Sequence, residues 1–289
     1  MSEPGGGFAW RPALVATGWT IAHLAGGLLL TGLLLWLAAR MWGPAALSSD
    51  SAGVLALQGT AELAAFVFMT WLIGRRVLKL SWAELGWRRP RGLRGFGGGV
   101  GFAALLALGA LVLAVPLAHA HWLQDEGDGL QYARTVLGTL ALLAPAALAE
   151  ELMFRGLPQV LLGRAVGMGT AIVVLSAMFG VLHALNPDVT ALAIGNIALA
   201  GVLLSLAFLA PGGIWTAFGV HLGWNGMIAA LDAPVSGLPF RIPLIDYDPG
   251  SPAWLSGGGF GPEGGVLATA VLLAGCYFLG RRAGKDWTA

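Results

Sequence analysis

Apolar runs near the length of a bilayer's hydrocarbon core recur along the chain at about 13–39, 53–74, 97–118, 134–154, 168–186, 190–210, 213–231 and 264–280. A core of ~30 Å calls for roughly 20 residues of α-helix, and within it only helices or closed barrels satisfy every backbone polar group. These runs predict an all-α fold: a polytopic membrane protein with one transmembrane domain over 1–289, built as a bundle of about eight helices. Composition agrees, since 57% of residues are hydrophobic and 11% charged, with a mean hydropathy of +0.76, outside the range of a soluble domain. The first run is too long for a signal-peptide core and lacks a convincing cleavage site, so it is read as a retained span.

Charge distribution sets the expected topology. Arg75, Arg76, Lys79, Arg88, Arg89, Arg91 and Arg94 crowd the connection between the second and third spans, which is therefore expected in the cytoplasm. With eight spans both termini are cytoplasmic, in agreement with Arg11, Arg281, Arg282 and Lys285. Only Arg40, Arg134 and Arg241 then fall outside, together with Asp50, Asp125, Glu126, Asp128, Asp188, Asp232, Asp246, Asp248 and Glu263. The basic run is read as an orientation signal that also touches anionic lipid, with no nucleic-acid partner expected. The chain is expected in the cytoplasmic membrane. Cys276 is alone, which excludes an intrachain disulfide. Glycines opening the third span offer small-xxx-small pairs for close helix contact. The Gly- and Pro-rich connection 232–263 is expected as an exterior loop that can lie over the bundle.

Strongly polar side chains inside spans are costly and are functional candidates by default. They are Gln58 and Glu62 in the second span, Glu150 and Glu151 in the fourth, His183 in the fifth, Asn196 in the sixth, and His221 with Asn225 in the seventh. His23, isolated in the first span, is read as a packed or interfacial histidine. Gln58 and Glu62, one turn apart, are read as secondary: an interhelical hydrogen bond is the favoured reading, and lining of the substrate cavity the alternative. At 100° per residue Glu150 and Glu151 diverge, and Arg155 stands i,i+4 from Glu151, the favourable order for a salt bridge. Glu150 is then left unpaired beside Phe154, as a general base would be. Phe179 with His183 and His221 with Asn225 repeat the i,i+4 spacing. A free carboxylate, two histidines and a carboxamide from three helices supply the parts to activate a water and stabilise an oxyanion.

Glu150 to Arg155 fits E-E-x-x-x-R, Phe179 to His183 fits F-x-x-x-H, and His221 to Asn225 fits H-x-x-x-N. In that order these motifs resemble the CPBP family of CAAX proteases and bacteriocin-processing enzymes, also called the ABI family, which includes the Ras-converting CAAX endopeptidase. "LSWAELGWRRP" and "PGGIWTAFGVHLGWNGM" are similar to family sequence too, and the likeness runs from about 80 to 231. The resemblance implies an intramembrane endopeptidase with its active-site cavity inside the bundle. Its substrate would be a membrane-associated peptide or protein, with or without a lipid modification, cut near its C-terminus or in a leader or membrane segment. Glu150 with His183 would activate water, His221 with Asn225 would hold the oxyanion, and Glu151, Arg155, Phe154 and Phe179 would support them. A non-enzymatic immunity or peptide-binding protein is the alternative. A proton-coupled transporter is disfavoured by the lack of repeated halves.

None of the histidines is followed by Glu, so no H-E-x-x-H zinc helix exists. Paired intramembrane aspartates and a G-x-S-x-G serine are missing as well. Glu150, His183 and His221 are a zinc set by ligand type, and zinc stands as the alternative cofactor. A metal-free site is favoured, because Glu151 is read as the partner of Arg155 and because a zinc-bound Glu150 would leave no general base. For the motifs to meet at one depth, the fourth helix is expected to run on to about 163, tilted or broken at Gly156-Leu157-Pro158.

Overall fold

The computed structural model describes residues 10–43 and 52–286. Asp50, and the side chains of Arg282 and Lys285, lie outside the described residues. The helices are α1 (Trp10–Trp42), α2 (Ala52–Met69, prolonged by a π-helical stretch Thr70–Val77), α3 (Gly92–Ala118), α4 (Gly129–Phe154), α5 (Leu157–Val166), α6 (Met168–Leu182), α7 (Ala191–Leu209), α8 (Ile214–Ala230), α9 (Ala253–Ser256) and α10 (Val266–Asp286). The chain is an all-α integral membrane protein.

Among the described residues six helices are long and apolar enough to cross a bilayer, not the eight that the apolar runs suggest. The expected seventh span is α8, only 17 residues long. Its shortness has a physical reason: α8 is buried along most of its length, so its ends answer to protein neighbours and not to the thickness of lipid. The expected eighth span, in α10, has a similarly short apolar stretch, Val266–Arg281.

The helix starts follow from local chemistry. Asp128 caps α4 by accepting from Leu130 N and Gln131 N, while the Gln131 side chain accepts from Asp128 N, a reciprocal capping box. Thr190 caps α7 by accepting from Ala193 N. The fourth helix breaks where the sequence predicts: α4 stops at Phe154, Arg155 and Gly156 form a turn, and α5 runs on to Val166. Pro158 falls in the first turn of α5, where its missing N–H costs nothing.

α8 lies at the centre against α3. A Cβ on Gly99 would stand 2.6 Å from Thr216 O, and one on Gly223 would stand 2.4 Å from Val100 O. Glycines on both helices thus let the backbones touch, and the matching register shows that α3 and α8 run in the same direction. α4 runs antiparallel to α8, with Tyr132 Oη donating to Ala230 O at one end of the contact.

The two ends of the bundle differ. At the basic end, Ile214 N donates to Gly86 O, Arg88 Nη1 donates to Ala210 O, and Arg164 Nη2 donates to Glu84 Oε1. The backbone N–H and hydroxyl of Ser81 also donate to Glu84 and, with Arg164, hold its carboxyl down at about 2. Gly213 is required here: its φ is +62°, and any Cβ would lie 2.1 Å from Gly86 O.

At the opposite end a two-stranded antiparallel ribbon joins β1 (His121–Gln124) to β2 (Ile245–Asp248). These strands interrupt connections read from sequence as loops, since four residues are too few to show a period. β2 belongs to the 232–263 segment, which does fold over the bundle. Asn196 fastens it: its Nδ2 donates to Glu263 O and Gly265 O, and its Oδ1 accepts from Thr269 Oγ1. Asn196, a candidate by position, is thereby spent on anchoring.

Candidate active site

A cavity of about 390 Å³ opens between α1, α2, α4, α6, α7 and α8 beneath the folded-over segment. Glu150, Phe154, Phe179, His183, His221 and Asn225 all line it, so the motif residues of three helices meet in one space. The break at Gly156 ends α4 just beyond the two glutamates, and α6 ends at Leu182, so that His183 opens a short 3-10 turn.

Glu151 and Arg155 form a fully buried pair, Nη1 to Oε1 3.2 Å. Nη2 of Arg155 also donates to Gly201 O on α7 at 3.3 Å. The guanidinium lies against Phe179, 4.5 Å from the ring centroid, and against Phe154 at 5.5 Å, and the two rings meet edge to face at 5.3 Å. Burying a charge pair is tolerable only with such company. Phe154 and Phe179 therefore wall in Arg155 while facing the cavity.

His221 corrects the expectation that Glu151 serves Arg155 alone and that Glu150 points away unpaired. His221 Nδ1 stands 2.8 Å from Glu151 Oε1, the oxygen that also takes Arg155. Its Nε2 stands 3.7 Å from Glu150 Oε2. The carboxylates do diverge by about 100°, but α8 brings the imidazole between them and its two nitrogens face opposite ways. No single-helix argument finds a contact of that kind.

His183 Nδ1 donates to Phe179 O one turn back, at 2.7 Å, and its ring meets Phe179 edge to face at 4.7 Å. With Nδ1–H held by a carbonyl, a neutral His183 has its free lone pair on Nε2. Asn225 makes no hydrogen bond to protein among the described residues, and its carboxamide faces the cavity. One carboxylate oxygen of Glu150, Oε2, is buried without a hydrogen-bond partner.

Two further carboxylates reach the cavity. Glu62 lines it, whereas Gln58 is exposed, and neither makes the interhelical hydrogen bond read from their spacing. Side chains one turn apart share a face, but here that face is split between cavity and surroundings. Sequence reasoning places Glu263 in an exterior loop and misses it as a site residue. It is only 4% exposed, accepts from Trp224 Nε1 at 3.0 Å and from Ser236 Oγ at 2.8 Å, and lines the cavity. The one available signal is a lone acid in an otherwise Gly-rich stretch beside the last apolar run. His23 is buried, with Nε2 3.2 Å from Leu152 O and its ring against Phe66.

Both cavity histidines have Nδ1 held by an acceptor, the usual outer-shell support of metal ligands. The sequence-level objection to zinc, that no carboxylate is free to orient a histidine, is overturned by Glu151. Among the described residues no three His, Cys, Asp or Glu side chains are grouped to hold a metal ion.

Residues 132–227 match the family model described as type II CAAX prenyl endopeptidase Rce1-like. No curated protein and no solved structure matches the chain. The matched segment holds Glu150 to Arg155, Phe179 to His183 and His221 to Asn225, with the helices that carry them. Over residues 132–227 the chain is accordingly similar to the CPBP family of CAAX proteases, membrane-embedded endopeptidases that act on membrane-associated peptides or proteins.

Proposed function

We propose that this protein cleaves a membrane-associated peptide by a metal-free mechanism in which Glu150 is the general base. The observation that carries the reading is Glu150 itself: a cavity carboxylate with a buried, unbonded oxygen 3.7 Å from His221 Nε2. Water held by Glu150 and His183 Nε2 attacks the scissile carbonyl carbon, and Glu150 takes one of its protons. The oxyanion that forms is met by Asn225 Nδ2 and by Nε2–H of a protonated His221. When the C–N bond breaks, Glu150 returns the proton to the departing amine, which leaves a carboxylic acid and a free amine.

The flanking carboxylates support a protonated His221. His221 stands between two carboxylates, Nδ1 2.8 Å from Glu151 Oε1 and Nε2 3.7 Å from Glu150 Oε2, so an imidazolium has an acidic partner on each side. Glu151 and Arg155 are positioning residues, holding His221 from behind.

The cavity walls are mostly aliphatic, with Leu28, Leu143, Leu203 and Leu272 among them. Such a surface suits an apolar substrate segment or an attached lipid chain. The basic end is assigned to the cytoplasm of a cell whose cytoplasmic membrane holds the protein, since Arg75, Arg76 and Arg88 to Arg94 gather there.

The test uses purified full-length protein in lipid nanodiscs with matched prenylated and unprenylated C-terminal peptides. Cleavage by the wild type that disappears in Glu150→Gln and survives ortho-phenanthroline is the expected result. Cleavage that the chelator abolishes and stoichiometric zinc restores overturns the metal-free mechanism. Cleavage retained by Glu150→Gln would remove Glu150 as the base, and peptide binding without cleavage by the wild type, kept by Glu150→Gln, would instead identify a peptide-binding protein.

A further inference from the structure

On the far side of α8 from the catalytic cavity, a second hollow of about 740 Å³ lies between α3, the end of α7, the start of α8 and the end of α10. Val220 lines both spaces, one residue from His221. Arg91 and Arg94 stand at its mouth, both exposed, and among the described residues neither side chain has an ion pair or hydrogen bond. They contrast with Arg88, Arg155 and Arg164, each bonded to a protein oxygen. Nothing acidic lines the hollow.

Past the arginines the walls turn apolar: Phe102, Leu206, Val220, Phe278 and Leu279. Phe102 and Phe278 stack at 5.4 Å to form the inner side. The floor is open because α3 presents glycine there, and a Cβ on Gly98 would meet nothing within 4 Å. Within the same hollow the Thr216 hydroxyl is buried without a hydrogen-bond partner.

Arg94, Gly98 and Phe102 are spaced along α3 by four residues and so follow one face inward from the basic end, where Arg91 is the N-cap residue. From Arg94 to Phe102 the helix rises about 12 Å, most of the depth of one leaflet's hydrocarbon. A ligand matched to this gradient is anionic at the interface and aliphatic for about half the membrane. We propose that the hollow is a binding site for one anionic phospholipid, its phosphate on Arg91 and Arg94 and an acyl chain along the Gly98 floor against Phe102 and Phe278. The lipid would then pack against the back of the helix that carries His221. The site is independent of whether the front of α8 performs proteolysis.

The experiment is native mass spectrometry of the full-length protein in detergent, titrated with phosphatidylglycerol and phosphatidylcholine of identical acyl chains. The wild type should retain phosphatidylglycerol about tenfold better than phosphatidylcholine. The double variant Arg91→Gln, Arg94→Gln changes only exposed side chains, and should bring the two lipids within about twofold of each other. Gly98→Leu, which fills the floor, should lose retention of both lipids while keeping the wild-type gel-filtration profile. Equal retention of both lipids by the wild type overturns the proposal. So does a headgroup preference untouched by the arginine variant, and so does full retention by a folded Gly98→Leu, which would place the lipid on the surface and not in the hollow.

Discussion

His221 and Glu151 meet at 2.8 Å, Nδ1 to Oε1, on an oxygen that Arg155 also holds. The contact makes Glu151 the hinge of the site: one buried carboxylate neutralises the guanidinium of its own helix and orients the imidazole of another. His221 Nε2 is thereby turned to Glu150 and the cavity.

Glu151→Gln should therefore do two separable things. It leaves Arg155 without its counter-charge at a fully buried position, a loss of about 3–5 kcal/mol by analogy with other broken buried pairs. It also weakens the hold on His221. We expect a melting temperature lowered by several degrees or more, and turnover that falls further than the unfolded fraction explains when assayed well below the melting point. Turnover proportional to folded protein would reduce Glu151 to a purely structural residue.

Asn225→Ala gives the complementary pattern. Its carboxamide bonds no protein group among the described residues, so its removal should leave the melting temperature within about a degree. As an oxyanion donor it should cost on the order of 10²–10³ in kcat. A change within threefold would remove Asn225 from the mechanism. His183→Ala, in contrast, should abolish turnover, because it takes away a ligand of the attacking water.

The site is legible in the sequence as far as single helices go. The i,i+4 pair of Glu151 with Arg155, the alignment of Phe179 with His183, and the break at Gly156 are all local consequences of helix geometry or of Gly-Pro chemistry. What escapes depends on how helices cross. His221 reaches Glu151 only because α8 runs antiparallel to α4 at that level, and α8 can be shorter than the bilayer only because neighbours enclose it. Glycine on α3 announces close packing but not that its partner is α8. The ribbon of His121–Gln124 with Ile245–Asp248 is too short for periodicity to reveal.

Gln58 and Glu62 suggest an interhelical hydrogen bond by position, yet Glu62 takes the alternative and faces the cavity from α2. Without a protein partner it contributes no hydrogen bond whose loss could unfold the helix pair. Glu62→Gln should hence leave thermal stability unchanged while altering KM for cavity-bound peptides. A melting temperature that drops by several degrees would return Glu62 to a structural role.

Glu263 decides whether the folded-over segment is a fixed roof. Its carboxylate joins α8 to the far end of the segment, taking Trp224 Nε1 from the helix and both Ser236 N and Ser236 Oγ from the segment. Its own backbone oxygen is held by Asn196 of α7. Val235, Ser236, Leu238 and Phe240 consequently line the cavity. Glu263→Ala strands an indole N–H and a serine in a buried place, at about 1–3 kcal/mol for each unsatisfied group. The roof should loosen more than the bundle does, because the helices keep their own packing. Hydrogen exchange should rise across 233–241 with little change in α4 and α8, and KM should increase more than kcat falls. Ser236→Ala, which removes one donor and leaves Trp224 bonded, should shift the same measurements in the same direction by a smaller amount. Uniform exchange in α8 and in the roof would show that Glu263 supports the bundle as a whole, and equal losses in kcat and KM-limited rate would place it nearer the chemistry than the roof.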